Sequence, residues 1–147
     1  MNLRSRVAVV VLVLNATTFA VAQDVPPEVV AKIRASIEAR YPDNFSMQKT
    51  LLDDQLASYR FLVKYAPEGI ARERLQQIVS PIEARYPDNF SMQKTLLENQ
   101  VSSFRFMGTY QPVEIPKVEF EQVKQRVQQR YPNDYSMQKT LVENQVE

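Results

Sequence analysis

The chain contains no cysteine and no histidine. Without cysteine there is no disulfide bond and no reactive thiolate, so the folded chain must be stabilised by packing alone. The absence of histidine removes the most common general base, and the two absences together remove most ligands of transition metals. We therefore expect no cofactor and no metal site, and the composition favours a binding protein over an enzyme.

Neither sign of charge dominates the sequence. The chain has 18 basic residues against 17 acidic ones, which gives a net charge of +1. Binding to nucleic acid or to an anionic membrane surface needs a clustered positive field, and a mixed set of charges does not provide one. We therefore expect neither of these as a partner.

Long apolar runs are also absent, except near the N-terminus. Residues 1–22 contain Arg4 and Arg6, an apolar run over residues 7–14 and small residues around Ala22. This order is typical of a secretory signal peptide, and the run is too short for the ~20 apolar residues of a spanning helix. The sequence predicts a mature chain that starts at Gln23, carries a net charge of about −1 and has no stable membrane insertion. A periplasmic or secreted location follows, and the lack of disulfides favours a bacterial protein.

A stretch of sequence recurs twice with a period of 45 residues, at residues 40–51, 85–96 and 130–141. Apolar residues before each copy follow steps of three, four and four, which is the spacing of one face of an α-helix. Their positions are Val30, Ile33, Ile37 and Tyr41, then Leu75, Ile78, Ile82 and Tyr86, then Phe120, Val123, Val127 and Tyr131. A second, longer helix is predicted to start within each copy of the stretch and to continue beyond it. In the first sequence repeat, the predicted core positions of this helix are Phe45, Leu52, Leu56, Tyr59 and Val63.

A proline turn separates the two helices of each sequence repeat. Proline removes a hydrogen-bond donor and restricts the residue before it, so each first helix should end at the tyrosine that precedes the proline. An aspartate in the turn is expected to cap the second helix. The prolines are Pro42, Pro87 and Pro132, and the aspartates are Asp43, Asp88 and Asp134.

Two residues interrupt the pattern in the second sequence repeat. Pro81 follows Ser80 inside the predicted first helix, so that helix should kink or restart there. Gly108 is expected to end the second helix as its C-terminal cap.

These patterns predict an all-α fold of three tandem helical hairpins in an α-solenoid-like or bundle array. Residues 23–147 form one domain, with sequence repeats at about 28–67, 73–112 and 117–147. The third hairpin is truncated within its second helix. Its apolar face is therefore expected to be open to a partner or to a second copy of the chain.

The predicted binding residues are polar side chains that keep their places in all three sequence repeats. Two interpretations remain open for the glutamines and two for the arginines. The glutamines recognise a peptide or glycan, or they satisfy backbone groups freed at the turn. The arginines clamp a carboxylate ligand, or they stabilise the helix end and pair with Asp53, Glu98 and Glu143. The residues are Arg40, Gln48, Lys49, Gln55, Arg85, Gln93, Lys94, Gln100, Arg130, Gln138, Lys139 and Gln145.

The stretch from Tyr41 to Gln48, with its Pro-to-Met-Gln spacing, resembles short segments of small exported or phage-associated bacterial proteins of unknown function. Those segments often have tryptophan in place of the tyrosine. The resemblance implies a helical, exported bacterial module. It implies no activity and no site residues.

The sequence thus predicts a non-catalytic binding or scaffolding module of the bacterial cell envelope. Its partner is a protein, an envelope component or a second copy of the chain. One alternative is a hydrolase of cell-wall glycans, or an inhibitor of one, that uses a carboxylate such as Glu38, Glu83 or Asp53. The other is a self-associating structural protein.

Overall fold

The computed structural model describes residues 25–146, and the side chains of residues 25–145. This part of the chain consists of six α-helices and contains no β-strand, which confirms the all-α prediction for it. None of these helices is both long and apolar enough to cross a membrane. The predicted signal peptide lies outside the described residues. The helices are α1 (Pro27–Arg40), α2 (Phe45–Lys64), α3 (Arg72–Arg85), α4 (Phe90–Thr109), α5 (Lys117–Arg130) and α6 (Tyr135–Val146).

Helices α2, α4 and α6 form a row in which α4 packs against both of its neighbours. Each of α1, α3 and α5 packs against the helix that follows it. Within residues 25–146, these three helices make no packing contact with one another. The row of longer helices therefore forms one layer, and the shorter helices cover it one by one.

The predicted apolar stripe forms the inner face of α1, α3 and α5. Ile33, Ile37, Ile78, Phe120 and Val127 are all buried. The three helices end at Arg40, Arg85 and Arg130, and the following tyrosine is the C-terminal cap in each. The predicted boundary at the proline turns is confirmed to within a residue.

Two hydrophobic clusters make up the centre of the molecule. One joins α3, α4 and α6 and contains Ile78, Leu97, Val101 and Tyr135. The other joins α4, α5 and α6 and contains Met107, Phe120, Val127 and Val142. Both clusters are completed by side chains of α4, so this helix lies at the centre of the fold.

The caps of the second helices differ from the prediction. The side chains of Asn44 and Asn89 accept from the backbone N–H three residues later, at 3.0 and 3.1 Å. Asp134 does the same at 3.0 Å. The assignment of Asp43 and Asp88 as caps is wrong, because the capping oxygen must stand immediately before the first helical residue. That position is asparagine in the first two sequence repeats.

Pro81 lies inside α3, which runs without interruption over Arg72–Arg85. The expected restart at Ser80 is wrong, since this hydroxyl donates to the Gln76 carbonyl at 2.9 Å instead of capping a new helix. Proline leaves the carbonyl of Gln77, four residues earlier, without its helical donor. Both Pro81 and Gln77 are exposed, so water can supply that donor and the helix continues.

Gly108 is a helical residue and not a cap. Helix α4 continues to Thr109, and Tyr110 follows it in an extended conformation. An extended exit needs no left-handed residue, so the glycine has no capping role there. A positive φ of 76° occurs instead at Gly69, in the loop between α2 and α3.

The predicted core is wrong at Val63, which is 65% exposed, and most clearly at Phe45. Its side chain is 77% exposed, whereas Tyr135, at the same position of the third sequence repeat, is 6% exposed. The two residues occupy the same place at the start of a helix. What differs is whether a preceding helix covers them, which a pattern within one sequence repeat does not report.

Candidate functional site

A glutamine in the second helix of each pair holds the preceding turn. The Gln48 amide donates to the carbonyl of Tyr41 at 2.6 Å. Gln93 and Gln138 make the equivalent bonds at 2.5 Å to Tyr86 and Tyr131. These contacts agree with the structural interpretation of the three glutamines, because each amide satisfies a carbonyl at a helix end. A role in ligand recognition stays a prediction.

A second glutamine joins successive helix pairs. The Gln55 side chain, on α2, reaches the start of α4, where its Nε2 donates to Asn89 at 3.1 Å. Its Oε1 accepts from the backbone N–H groups of Phe90 and Ser91, at 2.7 and 3.3 Å. These N–H groups belong to the first helical turn and have no partner within their own helix. One side chain therefore caps a helix of the next pair.

Gln100 repeats this arrangement between α4 and α6. Its partners are the carboxylate of Asp134 at 3.0 Å and the N–H groups of Tyr135 and Ser136 at 2.7 and 3.3 Å. Gln145 holds the same position in α6. Its side chain is exposed and makes no hydrogen bond to another described residue. Sequence reasoning missed this cross-helix bond, although the 45-residue recurrence of glutamine together with the capping residue was the available signal.

We predict that Gln100→Ala lowers the free energy of unfolding by about 1–2 kcal/mol. The N–H groups in the first turn of α6 lose their acceptor, and water bonded to them compensates for only part of the lost hydrogen bonds. Hydrogen–deuterium exchange should show that the substitution speeds the exchange of backbone amides in α6 more than that of backbone amides in α4. Gln145→Ala is the matched control and should change neither quantity. Equal effects of the two substitutions would contradict the assigned role.

The predicted lysines fall into two groups. Lys94 and Lys139 lie over the rings of Phe61 and Phe106, at 4.8 and 5.0 Å from the ring centres. Each ring belongs to the preceding helix of the row. Lys49 has no such ring within the described chain. It donates instead to Asp53 at 2.8 Å, which raises the pKa of the Lys49 ammonium.

The predicted arginines make no ion pair with any described residue. Arg85 and Arg130 lie over the rings of the tyrosines that follow them, at 5.4 and 5.6 Å. The expected pairing of the arginines with Asp53, Glu98 and Glu143 is wrong. Asp53 and Glu143 contact lysines four residues earlier on the same helical face instead, at 2.8 and 3.9 Å. The guanidinium groups thus retain donors for an external acceptor.

A groove, here called the first groove, lies between α1, the α2 residues that face it and the turn before α4. Its volume is about 270 Å³. Its lining includes the apolar side chains of Ile33 and Ile37, and Lys32 of α1 forms an ion pair with Asp88 of the turn at 2.6 Å. It is lined by Ile33, Ser36, Ile37, Arg40, Tyr41, Leu51, Gln55, Tyr86, Pro87, Asp88 and Asn89.

An equivalent second groove lies between α3, α4 and the turn before α6. Every residue that lines the first groove has its counterpart, 45 positions later, in the lining of the second. The second groove is larger, at about 570 Å³, and Asn99, Arg130 and Ser136 also line it. The lining counterparts are Ile78, Pro81, Ile82, Arg85, Tyr86, Leu96, Gln100, Tyr131, Pro132, Asn133 and Asp134.

The two grooves differ in charge. The carboxylate stands at a different position in each, because the first groove has Asp88 and Asn89 whereas the second has Asn133 and Asp134. Where α1 has Lys32, α3 has Gln77. The ion pair of the first groove is therefore missing from the second. Arg130 also lines the second groove, so this groove has two arginines without an ion pair in the described chain, whereas the first has one, Arg40.

The chemistry of the second groove suits an anionic ligand with an apolar part. Arg85 and Arg130 offer planar sets of N–H donors, which match the geometry of a carboxylate. The carboxylate of Asp134 also lines the groove, but it already accepts from the Gln100 amide and from the Met137 N–H. The arrangement can hold a ligand by charge and by contact with Ile78 and Ile82. It presents no paired acid and base.

Comparison of the chain with known protein families, with curated proteins and with solved structures finds no match.

Proposed function

We propose that this chain is an exported, non-catalytic binding module built from three tandem helical hairpins. Residues 1–22 direct its export in this proposal, and the hairpins form an array in which successive units share a core. The equal spacing of corresponding helices and the glutamine bonds between neighbouring pairs support the array. The partner is a protein or a component of the bacterial cell envelope.

The observation that supports binding is the recurrence of one groove at two junctions. The tyrosine and the proline at both places also form the turn between two helices, so the arginines carry the argument for binding. The arginines at each groove leave their donors unpaired within the described chain. Unpaired guanidinium groups beside an apolar floor are the usual means of holding a carboxylate.

We therefore propose an extended protein segment with acidic side chains as the ligand. Such a segment can place an apolar side chain on the groove floor and a carboxylate at the rim. Two grooves on one chain also permit two contacts with the same ligand, and linked contacts raise the overall affinity above that of either one.

The proposal predicts that a random linear peptide library, selected on the purified chain, becomes enriched in peptides that contain Asp or Glu. Binding of an enriched peptide should weaken about tenfold or more when Arg85 and Arg130 are both changed to alanine, because each charged hydrogen bond contributes about 1.5–3 kcal/mol. Arg85→Lys should have an intermediate effect, since lysine keeps the charge but loses the planar fork. Calorimetric titration measures the affinities.

Arg72→Ala and Arg126→Ala are the matched controls, because both arginines are exposed on the same two helices and neither lines a groove. Enrichment of peptides without acidic residues, or equal weakening by the control variants, would contradict the proposed ligand. Turnover of cell-wall glycans that disappears on substitution of Glu38 or Glu83 would replace it with the hydrolase alternative.

A further inference from the structure

One end of the helix row carries an exposed surface, here called the end face. It consists of Asn44, Phe45, Ser46, Lys49 and Leu52 at the start of α2. Phe45 is 77% exposed, and Lys49 is also exposed. Within the described chain, no helix of the row lies on this side of α2. The N–H groups of Phe45 and Ser46 have no acceptor among these residues.

The corresponding surfaces of α4 and α6 are covered. Phe90 meets the ring of Tyr59 edge to face at 5.1 Å, and Tyr135 meets Phe104 in the same geometry at 5.0 Å. Tyr59 belongs to α2 and Phe104 to α4. Each covered surface is therefore packed against an aromatic ring of the preceding helix, and Phe45 is the position where that ring is missing.

Other contacts recur at the same junctions. The Gln55 side chain accepts from the N–H groups of Phe90 and Ser91, as described above, and Gln100 does so for α6. Lys94 lies over the ring of Phe61. The glutamine contact has an unused counterpart on the end face, in the N–H groups of Phe45 and Ser46. The lysine at the equivalent position, Lys49, has no ring to cover within the described chain and pairs with Asp53 of its own helix at 2.8 Å.

A cavity of about 220 Å³ lies between the end face and α1, and it is lined by Arg34, Ile37, Glu38, Phe45, Gln48, Lys49 and Leu52. The counterpart cavity at the next junction holds only about 50 Å³. Leu62 of α2 lies in the lining of that smaller cavity, beside Gln93 and Leu97. An aliphatic side chain of the covering helix thus takes up the space that is open at the end face.

We infer that the end face is a docking site for an α-helix of a partner protein. That helix carries glutamine, an aromatic residue four positions later and an aliphatic residue three positions after that. Both internal junctions use this pattern, as Gln55, Tyr59 and Leu62 in α2 and as Gln100, Phe104 and Met107 in α4. The three residues lie on one helical face, because the spacing follows the helical repeat. The end-face residues themselves line neither groove.

A partner helix fits better than a second copy of this chain. Helices α2 and α4 carry the complete pattern, but each already buries it against the next helix of the row. Among the described residues, a second copy therefore offers no free helix with all three side chains. The end face continues an interface that the molecule itself forms twice, so those two junctions indicate the shape and chemistry of its occupant.

The test uses a fluorescent peptide with the sequence of residues 96–110, held helical by a hydrocarbon staple between positions 98 and 102, which are both exposed in α4. Circular dichroism verifies its helicity. Fluorescence anisotropy should show saturable binding to the full chain at one site. Phe45→Asp should weaken binding about tenfold or more, since it removes the aromatic contact. The same peptide with Gln100→Ala and Phe104→Ala should bind about tenfold more weakly or worse.

Val63→Asp is the matched control, because Val63 is exposed on the same helix and lies outside the end face. Thermal unfolding should be nearly equal for Phe45→Asp and the unsubstituted chain, which separates loss of docking from loss of fold. Failure of the verified helical peptide to bind would overturn the inference. Self-association of the chain by light scattering, abolished by Phe45→Asp, would also overturn it and would assign the end face to a second copy.

Discussion

Phe120→Ala is expected to lower the free energy of unfolding by about 3–5 kcal/mol, the largest effect of any single substitution considered for this chain. Phe120 is 1% exposed and packs with Met107, Val127 and Val142 in the cluster that joins α4, α5 and α6. Alanine leaves a cavity that these three neighbours cannot fill without moving. The loss also includes the edge-to-face contact with Tyr110, whose ring centre lies 5.7 Å away.

Denaturation with urea, followed by circular dichroism, measures this loss. Val118→Ala is the matched control on the same helix. Val118 is largely exposed, so this substitution should cost well under 1 kcal/mol.

The second groove contains Arg130 and Tyr131 from the end of α5. Peptide binding that depends on the second groove should therefore weaken in the Phe120 variant, since that end of the molecule opens more often. A stability equal to that of the Val118 variant would contradict the packing described for α5.

Gln93→Ala is expected to lower the free energy of unfolding by about 2–3 kcal/mol, whereas Gln48→Ala should cost about 1 kcal/mol or less. Both glutamines donate to the carbonyl of the preceding tyrosine. Gln93 is 5% exposed beside Leu97, so its removal leaves a cavity as well as a lost bond. Gln48 is only partly buried, and water can replace its amide.

Urea denaturation of the two single variants measures the difference. A third variant, Gln138→Ala, should cost less than burial alone suggests, because the Oε1 of Gln138 is buried without a partner and its removal offsets part of the loss. If instead all three variants keep their stability but lose peptide binding together, the glutamines form a recognition ladder. That outcome would overturn the structural interpretation.

Part of the fold could be predicted from local signals in the sequence. The spacing of residues such as Ile33 and Ile37 predicts helices α1, α3 and α5, and the prolines that follow predict where these helices end. Such signals are local, since helix geometry and proline stereochemistry act over a few residues. The cap assignments failed locally too, because aspartate and asparagine exchange places between the sequence repeats and only the residue at the capping position matters.

The candidate sites depended on contacts between distant residues. Gln55 and Phe90 are 35 residues apart, and their hydrogen bond exists only because α2 and α4 lie side by side. The grooves likewise combine the end of one helix with a turn from the next pair. A periodic sequence indicates that such contacts recur, but it does not state which side chains they join.

The three copies of the stretch at residues 40–51, 85–96 and 130–141 look alike in the sequence. By itself the sequence determined that each copy ends one helix, turns at proline and begins another, since those steps follow from the chemistry of neighbouring residues. Only the tertiary structure decided that the copies have different environments. Tyr135 is buried under α4, and Phe45 is exposed because no described helix precedes it in the row. Burial is a property of the neighbours that pack around a residue, and it therefore differs among copies whose local sequence is nearly the same.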